Sequence, residues 1–309
     1  MKTFNVVNGP SNVPVIVQGC MRMPSLSVPD AAKVISNACH LGVNFFDHAT
    51  CYGKNGEAER RFGEAFGQTG IKREDIILQS KCGIRTERGE FDWTKENILT
   101  STDEILNRLG TEYLDVLLLH RPDLLFEPEE VAKAFDSLYS SGKVRHFGVS
   151  NLMPLQIELL KKNVRQPLIF NQVQFSLEQS QLIDQALYMN NKTTTMSVNR
   201  DGSVLDYCRL NNITVQAWSP LQFGYFKGNF VDDPAFPEMN AVLGEIAERE
   251  GVSKTAVALA WILRHPAEMQ VIVGTMNTAH MKEACDAVKV KLSHNDWYRL
   301  YLSAGKFLP

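Results

Sequence analysis

The stretch Val43-Asn44-Phe45-Phe46-Asp47-His48-Ala49-Thr50-Cys51-Tyr52-Gly53 decides how this chain folds. It begins as an apolar run, which is typical of a buried strand, and it ends in a carboxylate that is followed by a phenol. Two later apolar runs end in the same way, one at Lys81 and the other at His120. Packing alone does not explain three buried strands that each end in an ionisable group, so the pattern indicates chemistry.

The composition of the chain is that of an ordinary globular protein. It has 309 residues, of which 44% are hydrophobic and 22% are charged, and its net charge is −3. This charge predicts no basic surface, so nucleic acid is not an expected partner. The amino terminus lacks the apolar core of a signal peptide, and no apolar run reaches the roughly 18 residues of a spanning helix. We therefore expect a cytoplasmic protein that does not associate with membranes.

The cysteines form neither a C-x-x-C pair nor a recognisable metal-binding pattern. Without an export signal they are expected to be reduced thiols, and no metal site is predicted. The six positions are Cys20, Cys39, Cys51, Cys82, Cys208 and Cys285.

Apolar strands alternate with amphipathic helices along most of the chain. Strands are predicted at residues 13–19, 43–49, 76–82, 113–120, 144–150, 168–174, 213–218 and 270–274. Helices are predicted at residues 28–41, 56–69, 94–109, 128–141, 154–163, 203–211, 240–250, 253–265 and 278–287. Eight strands with intervening helices predict an α/β fold, a closed parallel (β/α)8 TIM barrel. An open dinucleotide-binding sheet would need G-x-G-x-x-G after its first strand, and no two glycines here lie two residues apart.

Four regions lie outside or between these repeats. Residues 1–20 predict an N-terminal hairpin whose second half becomes the first barrel strand, and residues 292–309 predict a C-terminal helical extension. No linker or low-complexity segment interrupts the chain, so residues 1–309 are expected to form a single domain. Segments 188–202 and 221–239, together with the C-terminal extension, are expected to supply the pocket walls.

The ionisable strand ends predict a proton donor at one mouth of the barrel, because the carboxyl ends of barrel strands converge. Lys81 next to Tyr52 would lower the pKa of the phenol from about 10 towards working pH. Asp47 would keep the lysine charged and in place, and His120 would donate a hydrogen bond to a carbonyl oxygen. Reduction of a carbonyl also needs a hydride, which no side chain supplies, so a nicotinamide cofactor is expected in the same mouth.

Other strand ends are suited to such a cofactor. Ser150, Asn151 and Gln172 carry hydroxyl and amide groups that match a carboxamide, and Trp218 presents a flat face for stacking. After the eighth strand, residues 274–277 lead into a helix whose amino terminus would attract phosphate.

These motifs together resemble the aldo-keto reductase superfamily. The resemblance runs in order from about residue 13 to residue 290, and the segment Asn295-Asp296-Trp297-Tyr298 resembles the bacterial YdhF-type oxidoreductases. The motifs that carry it are Asn44–Gly53, Gln79-Ser80-Lys81, Leu118–Asp123, Gly142–Asn151, Asn171–Gln174 and Ala217–Leu221.

The resemblance implies an NADPH-dependent reductase of aldehydes or ketones, and a monomer is the expected state for such barrels. It implies that Tyr52 is the general acid, that Lys81 and Asp47 tune it and that His120 orients the carbonyl. Ser219 and Leu221 would contact the pyrophosphate, and the residues after the eighth strand would line the adenosine end. The full expected cofactor set is Gly19, Ser150, Asn151, Gln172, Trp218, Ser219, Pro220, Leu221, Gly274, Thr275, Met276, Asn277, His280 and Glu283.

Two positions depart from the family pattern. Many relatives have an arginine where His280 stands, and a neutral histidine binds the 2′-phosphate of NADPH less strongly than a guanidinium. Lys282 lies nearby and favours NADPH, with NADH as the alternative cofactor. Ala284 stands where relatives often place an asparagine against the adenine.

Two other functions are compatible with parts of the pattern. A Schiff-base aldolase would use Lys81 as its nucleophile but would leave Gln172 and Trp218 without a task. A non-catalytic NADPH-binding regulatory subunit would keep the fold without turnover. The four candidate catalytic residues, here called the tetrad, are Asp47, Tyr52, Lys81 and His120. Each of them considered alone also has an ordinary structural explanation, and only their ordered appearance at neighbouring strand ends favours catalysis.

Overall fold

A computed structural model of the chain describes residues 1–189, 191, 193–200, 202–224 and 226–307. The N-terminal hairpin pairs Thr3–Phe4 with Val13–Pro14 in antiparallel register. Val6 and Val13 pack into the interior cluster of the barrel, so the hairpin covers its amino-terminal end.

The central sheet is the predicted (β/α)8 barrel. Its eight strands pair in parallel and in chain order, and the eighth closes on the first through Val271 beside Ile16. The strands are β1 Ile16–Gly19, β2 Phe45–Asp47, β3 Ile77–Cys82, β4 Leu114–Leu119, β5 Val144–Ser150, β6 Leu168–Gln174, β7 Thr214–Trp218 and β8 Gln270–Val273. The TIM-barrel expectation is therefore confirmed.

Helices surround this barrel and follow the predicted positions to within a few residues. They are α1 Val28–His40, α2 Glu57–Phe66, α3 Lys95–Leu109, α4 Pro128–Ser140, α5 Pro154–Lys161, α6 Gln181–Leu187, α7 Val204–Leu210, α8 Pro237–Glu250, α9 Lys254–Leu263, α10 Thr278–Cys285 and α11 His294–Ser303. None of the helices in the described part of the chain is both long and apolar enough to cross a bilayer.

Local sequence explains where several helices begin. Ser27, Thr94 and Ser253 each accept a hydrogen bond from a backbone N–H in the first turn of the helix that follows. Such caps satisfy donors that have no partner within the helix. Helix α3 ends at Gly110, whose φ of 66° suits a residue without a Cβ.

Alternation along each strand produces two apolar regions. Outward-facing side chains such as Leu78 and Leu117 pack under the helices, whereas Phe45, Val116 and Phe170 fill the interior. The interior above these apolar side chains is polar, and it leads to the candidate site.

A helix and a hairpin are not predicted from the sequence. Helix α6 lies between β6 and segment 188–202, and Ile84–Arg85 pairs with Glu90–Phe91 in a short hairpin after β3. All six cysteines are free thiols, as expected.

Candidate active site

The structure brings the four predicted catalytic residues together at the carboxyl-terminal mouth of the barrel. The Lys81 ammonium lies 2.8 Å from both carboxylate oxygens of Asp47 and 3.1 Å from the Tyr52 hydroxyl. It also donates to the backbone carbonyl of His48 at 2.7 Å. The ring of His120 lies 6.0 Å from that of Tyr52, at an interplanar angle of 85°.

A tight turn places Tyr52 over Lys81. The Tyr52 N–H donates to the carbonyl of Ala49, and the Thr50 N–H donates to the carbonyl of Lys81. Gly53 follows with a φ of 72°, a left-handed conformation in which other residues are strained. The turn therefore folds back against β3 and holds the phenol above the lysine.

Burial sets the charge states of the lysine and the phenol. Burial disfavours the charge on Lys81, but Asp47 and the bond to Tyr52 outweigh it and raise the pKa of Lys81 to about 12. Burial also raises the pKa of Tyr52 to about 12, although Lys81 acts in the opposite direction. The expectation that Lys81 lowers this pKa towards working pH is wrong here, because desolvation of the phenolate exceeds the attraction of the ammonium. The phenol is thus protonated at neutral pH.

His120 is a neutral imidazole. Burial, together with the positive charges of Lys81 and Arg121, holds the pKa of His120 well below its ordinary value. Its Nδ1 lies 3.6 Å from the Cys51 thiol, and its backbone carbonyl accepts a bond from the Asn151 amide at 3.3 Å. A neutral histidine provides one N–H, which is what a hydrogen bond to a carbonyl oxygen requires.

His48 faces away from the site, as its place next to Asp47 predicts. Its ring packs edge-on against Phe62 of α2, with the ring centroids 4.7 Å apart. Burial, assisted by Lys81, lowers the pKa of His48 to about 3, so this imidazole is uncharged. Only its backbone carbonyl takes part in the site.

A cavity of about 840 Å³ opens beside these residues. Lys81 does not line it, because Asp47 and Tyr52 cover the ammonium. The predicted residues that line the cavity are Gly19, Asp47, Tyr52, His120, Ser150, Asn151, Gln172, Trp218, Ser219, Pro220, Leu221, Gly274, Thr275, Met276, Asn277, His280 and Glu283.

The polar groups predicted to bind a carboxamide are partly used within the protein. Asn151 accepts a bond from the Trp218 indole N–H at 3.1 Å and donates to the Ser150 hydroxyl at 2.7 Å. The Gln172 amide nitrogen donates to Asp47 at 3.0 Å and to Gln216 at 3.1 Å. Asn151 therefore fixes the indole, and the amide oxygen of Gln172 is the acceptor available to a ligand.

Two cofactor-set residues have a left-handed backbone. Asn151 has a φ of 60° and Ser219 has a φ of 50°. Such conformations are uncommon outside glycine and tend to occur at functional sites. Here they stand directly after the last residues of β5 and β7.

The amino terminus of α10 differs from the expected phosphate site. The side chain of Asn277 accepts bonds from the backbone N–H groups of Ala279 and His280, so these donors already have a partner. Arg22 instead places a cation here, donating to the carbonyl of Gly274 at 3.0 Å. Lys282 is not among the described residues that line the cavity, so it does not support NADPH in the expected way.

Ala284 is the second position at which the sequence departs from the family pattern. Ala284 lies in α10 and is fully buried. It therefore cannot provide the adenine contact that relatives make from this position.

Arg22 and Arg121 line the cavity but are not found by sequence reasoning. Phe226 and Asp232 also line it; they lie in segment 221–239, which is expected to supply a wall, although neither is singled out there. The Asp232 carboxylate is paired with Lys254 at 2.6 Å. The position of Arg121 directly after His120, at a strand end, is a sequence signal that points to it.

The walls of the cavity come from fewer segments than expected. Residues of segment 221–239 line it, whereas no described residue of 188–202 or 292–309 does. Asn190, Lys192, Asp201, Tyr225, Leu308 and Pro309 lie outside the described residues. The C-terminal segment packs elsewhere, since Trp297 of α11 stacks on Trp261 of α9 with centroids 4.9 Å apart.

A comparison with known families matches residues 15–301 to the model described as "Aldo/keto reductase family". The chain belongs to the aldo/keto reductase family. Enzymes of this family use nicotinamide cofactors and act on small-molecule carbonyl substrates. The chain is therefore an oxidoreductase.

Curated relatives agree with this assignment, and a solved structure shows the same fold. The chain is 34% identical over 275 residues to the 6-dehydroglucose reductase of Agrobacterium fabrum, covering 86% of this chain and 84% of that protein. It is 33% identical over 288 residues to oxidoreductase YdhF of Escherichia coli, covering 91% and 89%. The fold of the thermostable aldo-keto reductase Tm1743 superposes with a TM-score of 0.79 at 24% identity, covering 98% of this chain and 100% of the other.

Proposed function

We propose that this aldo-keto reductase reduces aldehydes or ketones to alcohols with NADPH, and that Tyr52 is the proton donor. One observation carries the proposal. The ammonium of Lys81 holds Asp47 and Tyr52 at the same time, beneath a cavity that also contains a neutral His120. A protonated phenol over a fixed cation is suited to give up its proton to an oxygen as charge develops there.

The proposed reaction needs little movement of the protein. Trp218 and Gln172 would hold the nicotinamide, which would supply the hydride for reduction of the carbonyl. The N–H of His120 orients the carbonyl oxygen, and Tyr52 transfers its proton to that oxygen as the alcohol forms. The phenolate left behind is stabilised by Lys81, whose charge is in turn maintained by Asp47. The phenol regains its proton from solvent after the alcohol leaves.

The donor set of the cavity fits a dinucleotide. Trp218 offers a partly exposed ring next to the tetrad, and Gln172 offers an amide acceptor for a carboxamide N–H. At the other end, Arg22 and His280 lie where phosphate would be bound. Arg22 thus supports NADPH in place of Lys282, because a guanidinium matches phosphate geometry.

The test compares the wild type with Tyr52→Phe in NADPH oxidation assays. The aldehyde panel should include 6-dehydroglucose, since one relative is named for its reduction. We expect kcat to fall by about 10²- to 10⁴-fold, which is the usual contribution of a general acid. NADPH binding, measured by cofactor fluorescence, should stay within a few-fold of the wild type. Equal turnover by the two proteins would show that Tyr52 is not the acid.

The geometry does not favour the Schiff-base alternative. A nucleophilic lysine must be a neutral amine with room for a substrate. The Lys81 ammonium is fully buried, bonded to Asp47, His48 and Tyr52, and its pKa is raised to about 12. Borohydride should therefore trap no carbonyl compound on Lys81.

A further inference from the structure

A chain of buried glutamines crosses the barrel interior below the tetrad. Gln79 on β3, Gln216 on β7 and Gln270 on β8 are all fully buried. Gln216 donates to the Gln270 amide oxygen at 2.9 Å, and Gln79 donates to the Gln216 amide oxygen at 2.9 Å. The amide nitrogen of Gln79 also donates to Asp47, at 2.6 Å.

The two ends of this chain determine which way each amide points. At the lower end, the Gln270 amide nitrogen donates to the backbone carbonyl of Pro14 at 2.7 Å. A carbonyl only accepts, so Gln270 must present its nitrogen there and its oxygen to Gln216. Gln216 must then present its nitrogen to Gln270 and its oxygen to Gln79. Gln79 in turn presents its nitrogen to Gln216 and to Asp47. Reversing any one amide would place two oxygens in contact.

The upper end of the amide chain is bonded to the carboxylate of Asp47, which only accepts hydrogen bonds. The Oδ1 atom of Asp47 accepts from Lys81 at 2.8 Å, from Gln79 at 2.6 Å and from Gln172 at 3.0 Å. Hydrogen bonds donated to a carboxylate favour its charged form. A carboxylate in this position keeps Lys81 charged, and the proposed reaction depends on that charge.

We propose that Gln79 is a positioning residue for the reaction, which it serves by holding Asp47 as a correctly oriented carboxylate at the end of an amide chain anchored on Pro14. The inference rests on the proposed function. Gln79 does not reach the substrate, because it is absent from the described residues that line the cavity. Gln172 bonds to Asp47 as well, but it lines the cavity, so only Gln79 separates the effect on Asp47 from cofactor binding.

The test replaces Gln79 with methionine, which keeps the length of the side chain and removes both donors. We expect kcat for aldehyde reduction to fall by about 10- to 100-fold, as for loss of one hydrogen bond to a charged group. The loss should appear in kcat rather than in the KM for the aldehyde, because Gln79 does not line the cavity. The Kd for NADPH should stay within a few-fold of the wild type.

Gln270→Met is the matched control. It removes the same amide from the same interior, but Gln270 does not contact Asp47. We expect its fall in kcat to be at least fivefold smaller than that of Gln79→Met. If the two variants lose activity equally, the chain serves packing alone and the inference is wrong.

Gln79→Glu provides a second readout, which depends on pH. Its protonated carboxyl can still donate to Asp47, whereas its ionised form repels that carboxylate. Activity relative to wild type should therefore decrease as pH rises, and a constant ratio would overturn the inference. Failure of the wild type to reduce any aldehyde would instead refute the proposed function, so the two failures are distinguishable.

Discussion

At the scale of single residues, the site depends on how the three protons of one ammonium are used. Lys81 donates to Asp47, to the His48 carbonyl and to Tyr52, so it has no proton left for substrate. It therefore acts on the reaction only through the phenol. A positive charge that a substrate could meet directly belongs to a different residue, Arg121, which lines the cavity.

Arg121 is an unneutralised cation on the cavity wall. Its guanidinium lies 5.8 Å from the centre of the Trp218 ring, and none of the described carboxylates lies within 4.0 Å of it. Asp232 also lines the cavity, but it is paired with Lys254. An anionic group on a substrate would complete this site by a charge-assisted hydrogen bond.

We expect Arg121 to favour substrates that carry a carboxylate. Wild-type kcat/KM for a carboxybenzaldehyde should exceed that for its methyl ester by about 10-fold or more, and Arg121→Met should remove this preference. The ester should be reduced at nearly the same rate by both proteins. Arg88→Met, which changes an exposed arginine outside the cavity, is the control and should retain the preference. A preference that persists without Arg121 would assign the anion to another residue.

The residues of the tetrad could be predicted because each follows an apolar run that is readable in the sequence. Asp47, Lys81 and His120 occupy strand ends, and parallel strands bring such ends together whatever the loops do. Arg22 could not be predicted in this way, since it reaches the cavity through a bond to Gly274, more than two hundred residues later. The direction of the Tyr52 pKa shift also needed the structure, because it depends on burial.

At the scale of elements, the prediction of a helix at α11 is correct, but its expected role as a wall of the cavity is wrong. The helix forms as expected, with Ser293 and Asp296 in a capping box. It packs on the outside of the barrel, where the indoles of Trp261 and Trp297 each donate to the other's backbone carbonyl at 3.0 and 3.1 Å. Helical periodicity gives the apolar face of a helix but does not say which surface it covers.

Asp296 ties α11 to α8, and we expect this tie to depend on pH. Its carboxylate accepts two bonds from Arg249, each at 3.0 Å, and further bonds from Ser293. Arg249 first, and Ser293 with it, holds the pKa of Asp296 well below its usual range, although desolvation acts against them. A depressed pKa stabilises the fold above the unfolded-state value of about 3.9, and this stabilisation is lost as pH falls below it.

Asp296→Asn should therefore lower the free energy of unfolding by about 1–3 kcal/mol at neutral pH. The difference from wild type should shrink as pH falls below about 3.9, because the carboxyl of the unfolded wild type then binds a proton while that of the folded protein still carries its charge. Denaturant unfolding followed by tryptophan fluorescence measures both values. Glu245→Gln is the matched control, because it removes a more exposed ion pair with Arg299 between the same two helices and should have little effect. A difference that does not change with pH would exclude the ionic explanation.

At the scale of the whole molecule, the net charge does not describe the charges that line the cavity. The chain carries −3 overall, yet two arginines, Arg22 and Arg121, line its cavity. Local cations, rather than the total, determine which anions are bound when the net charge is small. An anionic dinucleotide can thus bind to a protein of the same sign.

We expect Arg22 to select NADPH over NADH. Arg22→Met should weaken NADPH binding by about 10-fold or more and change NADH binding much less, if the guanidinium meets the additional phosphate. Raising the salt concentration should reduce the NADPH preference of the wild type and leave that of the variant nearly unchanged. Fluorescence titration with both cofactors gives these values. Equal losses for the two cofactors would place Arg22 at the shared pyrophosphate.

The arrangement around Lys81 has a consequence for chemical labelling. A lysine attacks an acylating reagent with the lone pair of its neutral amine, and the Lys81 ammonium gains that lone pair only by losing a proton that it now donates to a neighbour. Exposed lysines such as Lys33 should react within the folded protein. Lys81 should react only in molecules in which the turn that carries Tyr52 has opened. The rate of modification of Lys81 would then measure how often the mouth of the barrel opens locally.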